Sequence, residues 1–202
     1  MKTRAPRILT RSIAALLATA AVLTPAASRA ANGAWNITTG GGWGTAANWN
    51  PAAVPGSAAG DVITIGTNIV AAGTITLDAN RTVGTLNLGD SDSTHAFSIS
   101  AGSALILDQT AAGTALVRFG AAGGTAAIAN AIASTIALTD NARFYTTLTA
   151  SQTLSGIISG AKALNFDNDD GTTLAGPVSN QGQFLLSGVN TFRSGRRSMT
   201  RA

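Results

Sequence analysis

From Asp61 onward the chain is a succession of short segments broken roughly every ten residues by Gly, Asn, Asp or Ser. They read DVITIG, GTITLD, TVGTLNLG, HAFSIS, SALILDQ, TALVRFG, STIALTD, ARFYTTLT, QTLSGIIS, KALNFDN, TTLAGPV and QFLLSG. In several, apolar and polar side chains alternate: Ile63 and Ile65 against Val62 and Thr64, Leu86 and Leu88 against Thr85 and Asn87. Successive side chains on a strand point to opposite faces, so this alternation predicts strands with one buried face. The residues at the breaks have small or locally hydrogen-bonding side chains that admit tight corners. The predicted fold class is all-β.

A slower echo lies over this pattern. An apolar strand runs into an aspartate at Asp78, Asp108, Asp140 and Asp167, at steps of 30, 32 and 27 residues. A carboxylate so placed is expected to hydrogen-bond the backbone of the corner that follows it. Repeats of this length point to a solenoid, because one unit cannot bury its apolar face without neighbours stacked on it. The strand spacing also suits a β-sandwich, which stands as the alternative. In a solenoid the predicted interior ladder is Leu77, Leu86, Leu88, Ile99, Leu105, Leu107, Ile136, Leu138, Leu154, Leu164 and Leu185. The Ala-rich stretch 120–133 reads as strand and corner rather than helix, since small residues stack well inside a narrow coil.

Composition supports strands. All nine acids are Asp, and Lys162 is the one lysine after residue 30, so the usual helix formers of a surface are nearly missing. Apolar residues make up 45% of the chain against 11% charged, which supplies a core and argues against disorder. Cysteine is absent, so stability must come from burial repeated along the chain.

The two ends differ from the middle. Lys2, Arg4, Arg7 and Arg11 precede an apolar run at 12–23, and small residues Ser28 and Ala30 close the segment. That layout predicts a secretory signal peptide over 1–30, cleaved after Ala30. The run is too short for a membrane span, which needs roughly 18 apolar residues. The chain is therefore expected to be exported rather than transmembrane. Arg193, Arg196, Arg197 and Arg201 crowd the last ten residues, whereas 31–192 carries four bases against nine acids. The sequence pI of about 10.7 thus belongs to the ends, and nucleic-acid binding by the folded part is not expected.

The segments ITLDANRTVGTLNLGD, TLSGIISGAKALNF and FLLSGVNTF resemble secreted bacterial proteins built from autotransporter-associated β-strand repeats. Leu186, Ser187, Gly188, Asn190, Thr191 and Phe192 match that family's Leu-Ser-Gly-x-Asn-Thr-aromatic segment, and the Trp–Gly–Asn–Trp–Pro opening is similar to the start of many members. The resemblance implies a right-handed parallel β-helix passenger at the cell surface or released from it. The organisation then becomes a leader at 1–30, a Trp/Gly-rich cap at 31–61, β-helix repeats at 62–192 and a basic tail at 193–202. Two features depart from the family. No stretch reads as a membrane barrel of alternating strands, and RSGRRSMTRA replaces the Gly/Thr-rich turn expected after Phe192. The tail reads as a truncated or out-of-frame end, or alternatively as a basic anchor for anionic lipopolysaccharide.

All three tryptophans, Trp35, Trp43 and Trp49, open the stretch 35–61. The first coil of a solenoid exposes its core and a backbone edge, so terminal units serve as caps. Burying one indole is worth about 4–6 kcal/mol as an upper bound. The alternative is a carbohydrate contact made by Trp35, Trp43 and Trp49, which requires ring faces held out in solvent.

Other candidate sites are weaker. Asp90 with Asp92, or Asp167 with Asp169 and Asp170, could contribute oxygens to calcium, but no Glu exists to close an EF-hand loop, and solvated turns are the preferred reading. His95 is the one histidine and has only loop neighbours Ser93 and Asp92 for a triad, so it reads as a turn residue. No cofactor is expected. A polysaccharide-degrading enzyme is a further alternative, disfavoured because it would gather acids and bases on one face. The expected function is a non-enzymatic stalk or adhesin-like surface element whose partner is a cell-surface polymer or glycan.

Overall fold

The computed structural model describes residues 31–120, 127–146, 148, 150–167 and 184–186. Within them the protein is all-β, and its strands associate in three sheets that are parallel apart from one strand pair at the N-terminal end. The chain enters through β1 (Gly33–Trp35), β2 (Gly41–Gly42) and β3 (Trp49–Asn50). It continues through β4 (Val62–Ile65), β5 (Gly73–Thr76) and β6 (Arg81–Val83), then β7 (Thr85–Leu88), β8 (Phe97–Ile99) and β9 (Leu105–Leu107). Next come β10 (Thr114–Phe119), β11 (Ala131–Ile132) and β12 (Ile136–Leu138), then β13 (Asn141–Thr146), β14 (Gln152–Leu154) and β15 (Ile158–Ser159). The last are β16 (Leu164–Asp167) and β17 (Phe184–Leu186).

Sheet I has the order β16-β13-β10-β7-β4-β1-β3, sheet II β17-β14-β11-β8-β5-β2, and sheet III β15-β12-β9-β6. From β4 onward each strand hydrogen-bonds in parallel to the strand three places later, so the chain visits the sheets in rotation. At the N-terminal end β3 instead turns back antiparallel onto β1, with Trp35 opposite Trp49.

This register stacks like on like. Ile63, Leu86, Val117, Phe144 and Phe166 form one row across sheet I. Ile75, Ile99, Ile132 and Leu154 form another across sheet II, and Val83, Leu107 and Leu138 a third across sheet III. All but Phe166 are buried in one continuous core, each contributing about 1.5–3 kcal/mol on burial. The alternation predicted for VITI and TLNL is observed: Ile63, Ile65, Leu86 and Leu88 are buried, while Val62, Thr64, Thr85 and Asn87 are half-buried. Of the predicted ladder, every member from Leu77 to Leu154 is buried. Leu164 is only partly buried, and Leu185 pairs in register with Thr153 rather than with Leu154. The fully buried Phe97, Phe119 and Phe144 were not part of the prediction; they fill the same interior.

Two predicted segments are each two strands. TVGTLNLG breaks at Gly84 and QTLSGIIS in the interval containing Gly156, where the chain turns from one sheet to the next. A Cβ on Gly84 would lie 2.6 Å from the Gly60 Cα, and one on Gly156 only 1.8 Å from the Ser134 carbonyl oxygen. Adjacent passages thus approach too closely for a side chain, and glycine marks the corner. The aspartate echo does not follow the register either. Asp78 follows β5 of sheet II, Asp108 and Asp140 follow β9 and β12 of sheet III, and Asp167 ends β16 of sheet I. The reason is unequal passages: Ile136 pairs with Ile158, 22 residues on, whereas Gly41 pairs with Ile75, 34 residues on.

Of the Ala-rich stretch, the described part contains β11, in keeping with strand and corner. TTLAGPV, Asp169, Asp170, the leader 1–30 and the tail 193–202 lie outside the described residues. Among the described residues no helix is long and apolar enough to cross a membrane.

Candidate functional site

The three tryptophans converge at the N-terminal end of the sheets. Trp35 is on β1, Trp49 on β3, and Trp43 follows β2, held by its own amide donating to the Thr76 carbonyl at 2.9 Å. Trp35 and Trp49 meet edge-on with centroids 5.0 Å apart, and Trp43 meets Trp49 at 4.9 Å with a 55° tilt. Both arrangements suit the aromatic quadrupole. The rings are 3%, 0% and 1% exposed for Trp35, Trp43 and Trp49. Each indole N–H donates to a backbone carbonyl: Trp35 to Thr39 at 3.0 Å, Trp43 to Pro55 at 2.9 Å and Trp49 to Trp43 at 2.6 Å. The carbohydrate reading of Trp35, Trp43 and Trp49 required exposed ring faces, and this arrangement has none. Strand pairing and indole donation turn all three rings inward.

Beneath the rings lies a carboxylate that the sequence reading passed over. Asp61 is fully buried. Its Oδ2 accepts the amides of Gly56 and Ser57, each at 2.9 Å, and of Ala58 at 3.3 Å, while Oδ1 accepts the Ala31 amide at 2.7 Å. Its backbone carbonyl accepts from Gly84 and Thr85 of the next passage. One side chain therefore joins the loop under Trp43 to the start of β1.

Asp90 plays a similar part in the loop between β7 and β8. Its Oδ1 accepts the Ile69 amide at 3.1 Å, and Oδ2 accepts the amides of Thr94 at 3.1 Å and His95 at 3.0 Å. Asp92, which is exposed, accepts from the Thr94 hydroxyl at 2.8 Å and from Asn68 Nδ2 at 2.8 Å. The hydroxyl of Thr94 is the first cause holding the Asp92 carboxyl below its usual range. These oxygens are engaged by donors of the chain itself. Among the described residues, no three His, Cys, Asp or Glu side chains converge as a metal site would need. His95 is half-buried, its Nδ1 2.7 Å from the Thr94 hydroxyl and 4.0 Å from Asp90 Oδ2.

Two further groupings arise only through the register. On the outward side of sheet I, the Arg118 and Arg143 guanidinium groups lie 5.0 and 5.2 Å from the Tyr145 ring centroid, within cation–π range, and Arg118 Nε donates to the Tyr145 hydroxyl. At the corner after sheet III, Asp140 accepts the Gln109 amide at 2.9 Å and lies 3.8 Å from Lys162 Nζ. Burial, and then the neighbouring Asp140, push the Asp108 carboxyl above its ordinary 3.8. A folded-state value above the unfolded one means that ionised Asp108 weakens the fold at pH values above both. Asp108→Asn should therefore raise the urea midpoint modestly at pH 7, and the gain should vanish as pH falls through the raised value toward 3.8. Equal midpoints at pH 7 would remove this account.

Comparison with known protein families, curated proteins and solved structures finds no match to this chain.

Proposed function

We propose that the chain is an exported, non-enzymatic structural element of the cell surface: a right-handed parallel β-helix, closed at its N-terminal end by the tryptophans, that acts as a rigid spacer. The observation carrying this reading is the strand order, in which each strand from β4 onward pairs with the strand three places later. A chain wound in this way grows by adding passages, and buried rows running across the sheets resist bending. The antiparallel β3 and the buried indoles support a capping role for 31–61, since an open first passage would offer a free edge to other chains. The resemblance to passengers built from autotransporter-associated β-strand repeats supports placement outside the cell. Contact with a surface polymer or glycan would be made by outward side chains in many weak interactions.

The placement is tested through Lys162, the one lysine after residue 30, whose side chain is 41% exposed. Intact bacteria carrying the full chain are treated with a membrane-impermeant amine reagent and the protein is mapped by mass spectrometry. Labelling of Lys162 on intact cells or in released protein is expected. Labelling only after lysis would overturn surface placement.

A further inference from the structure

Ala31 is the first residue after the expected cleavage point, and its backbone nitrogen lies 2.7 Å from Oδ1 of the fully buried Asp61. The leader is not needed to explain this position. Gly33 pairs with Ile63, and Asn32 Oδ1 accepts the Val62 amide at 3.2 Å, so β1 and its register fix the chain two residues further on. The other carboxylate oxygen is held by the amides of Gly56, Ser57 and Ala58. Among the described residues, no lysine or arginine side chain pairs with Asp61; Arg81 pairs with Asp78 and Lys162 with Asp140. A buried carboxylate among neutral donors lacks the counter-charge that buried ions ordinarily have.

We propose that proteolytic removal of residues 1–30 supplies that counter-charge: the new α-ammonium of Ala31 forms an ion pair with Asp61 and locks the N-terminal cap. The inference rests on the export reading and adds a role to its processing step. Water adds across the Ala30–Ala31 peptide bond, the leader departs with the new carboxylate on Ala30, and the released amine of Ala31 is protonated at neutral pH. A neutral amide donor thereby becomes a charged one at the same place. Ala31 is half-buried, which leaves room for the remaining ammonium protons to reach water. The capped fold is thus completed only after the leader has been removed.

The test uses the full 202-residue chain, expressed in a Gram-negative host and recovered after export. Intact mass and N-terminal sequencing should place the mature start at Ala31. A variant with one glycine inserted between Ala30 and Ala31, cleaved before that glycine, keeps an amide at Ala31 but moves the charge one residue away. It should melt about 3–10 °C lower, given the strength of charged hydrogen bonds and the size of the chain. In Asp61→Asn the same insertion should change melting little, because the amide oxygen can keep the three loop donors while its NH2 faces Ala31. Should Asp61→Asn fail to fold, reactivity decides: the native α-amine should acetylate more slowly than that of the glycine-inserted protein. An uncleaved chain, or a start elsewhere, overturns both this inference and the predicted processing. A start at Ala31 with equal melting and equal amine reactivity in the two proteins overturns the ion pair alone, as does an insertion effect undiminished in Asp61→Asn.

Discussion

Trp43→Ala is expected to cost about 3–5 kcal/mol, the range for emptying a buried aromatic site. In a chain of this size that corresponds to a melting point lower by about 6–20 °C. The site cannot easily collapse. Trp43 is wholly buried, packs against Trp49 with centroids 4.9 Å apart, and donates its indole N–H to the Pro55 carbonyl. Removing it leaves a cavity beside Trp49 and strips the Pro55 carbonyl, itself part of a buried stretch, of its donor. Trp43→Phe should recover much of the packing but not the hydrogen bond, and so fall between the two proteins. Size-exclusion chromatography adds a readout particular to a cap: the alanine variant should self-associate, because a loosened β3 uncovers the edge of β1. Unchanged melting together with loss of glycan binding would reverse the reading and return the rings to a ligand role.

The sequence carried the inside–outside assignment of strands well, because that assignment is local. In VITI and TLNL the side-chain period alone decides which residues meet the core, and tertiary structure does not contradict it. It carried the tryptophan end for a related reason: three large apolar rings in a short stretch have few favourable places other than against one another. What it could not carry was anything depending on the number of residues per passage. Arg118 and Tyr145 are 27 residues apart and meet only because β10 and β13 pair in one particular register. Aspartates with similar flanks landed at different corners because loops of unequal length separate the strands. Asp61 and Asp90 share a faint local signal, a preceding glycine, yet their burial is decided by amides contributed from Ala31 in one case and Ile69 in the other. No period in the sequence announces such partners. Gly84 was read as the interior of one segment, TVGTLNLG, and not as a corner, since the reason for the corner is the backbone of Gly60 in the previous passage.

Asp90→Ala should lower stability by about 3–5 kcal/mol, read as a reduced urea midpoint with an unchanged m-value. The residue is 1% exposed, and its two oxygens face different partners: Oδ1 takes the buried Ile69 amide, and Oδ2 the Thr94 and His95 amides. Alanine leaves the buried Ile69 amide without an acceptor, at roughly 1–3 kcal/mol, and removes the bonds from the Thr94 hydroxyl and the half-buried His95 amide, at about 0.5–1.5 kcal/mol each, while the Thr94 amide keeps Asp92 Oδ1 at 3.1 Å. Asp90→Asn discriminates between charge and connectivity. An amide has one acceptor oxygen, so it can serve either Ile69 or the Thr94–His95 pair, and its NH2 must then face the other donors. Its destabilisation should fall short of the alanine variant's, and amide exchange should accelerate on one side of the loop and not the other. Asp92→Ala, in the same loop but exposed, should change the midpoint little. If instead Asp90→Ala and Asp92→Ala behaved alike, and added calcium stabilised the parent protein but neither variant, the carboxylates would be acting as cation ligands. The loop would then be a binding element, not the internal tie that holds Ile69 to the strand β8 that follows.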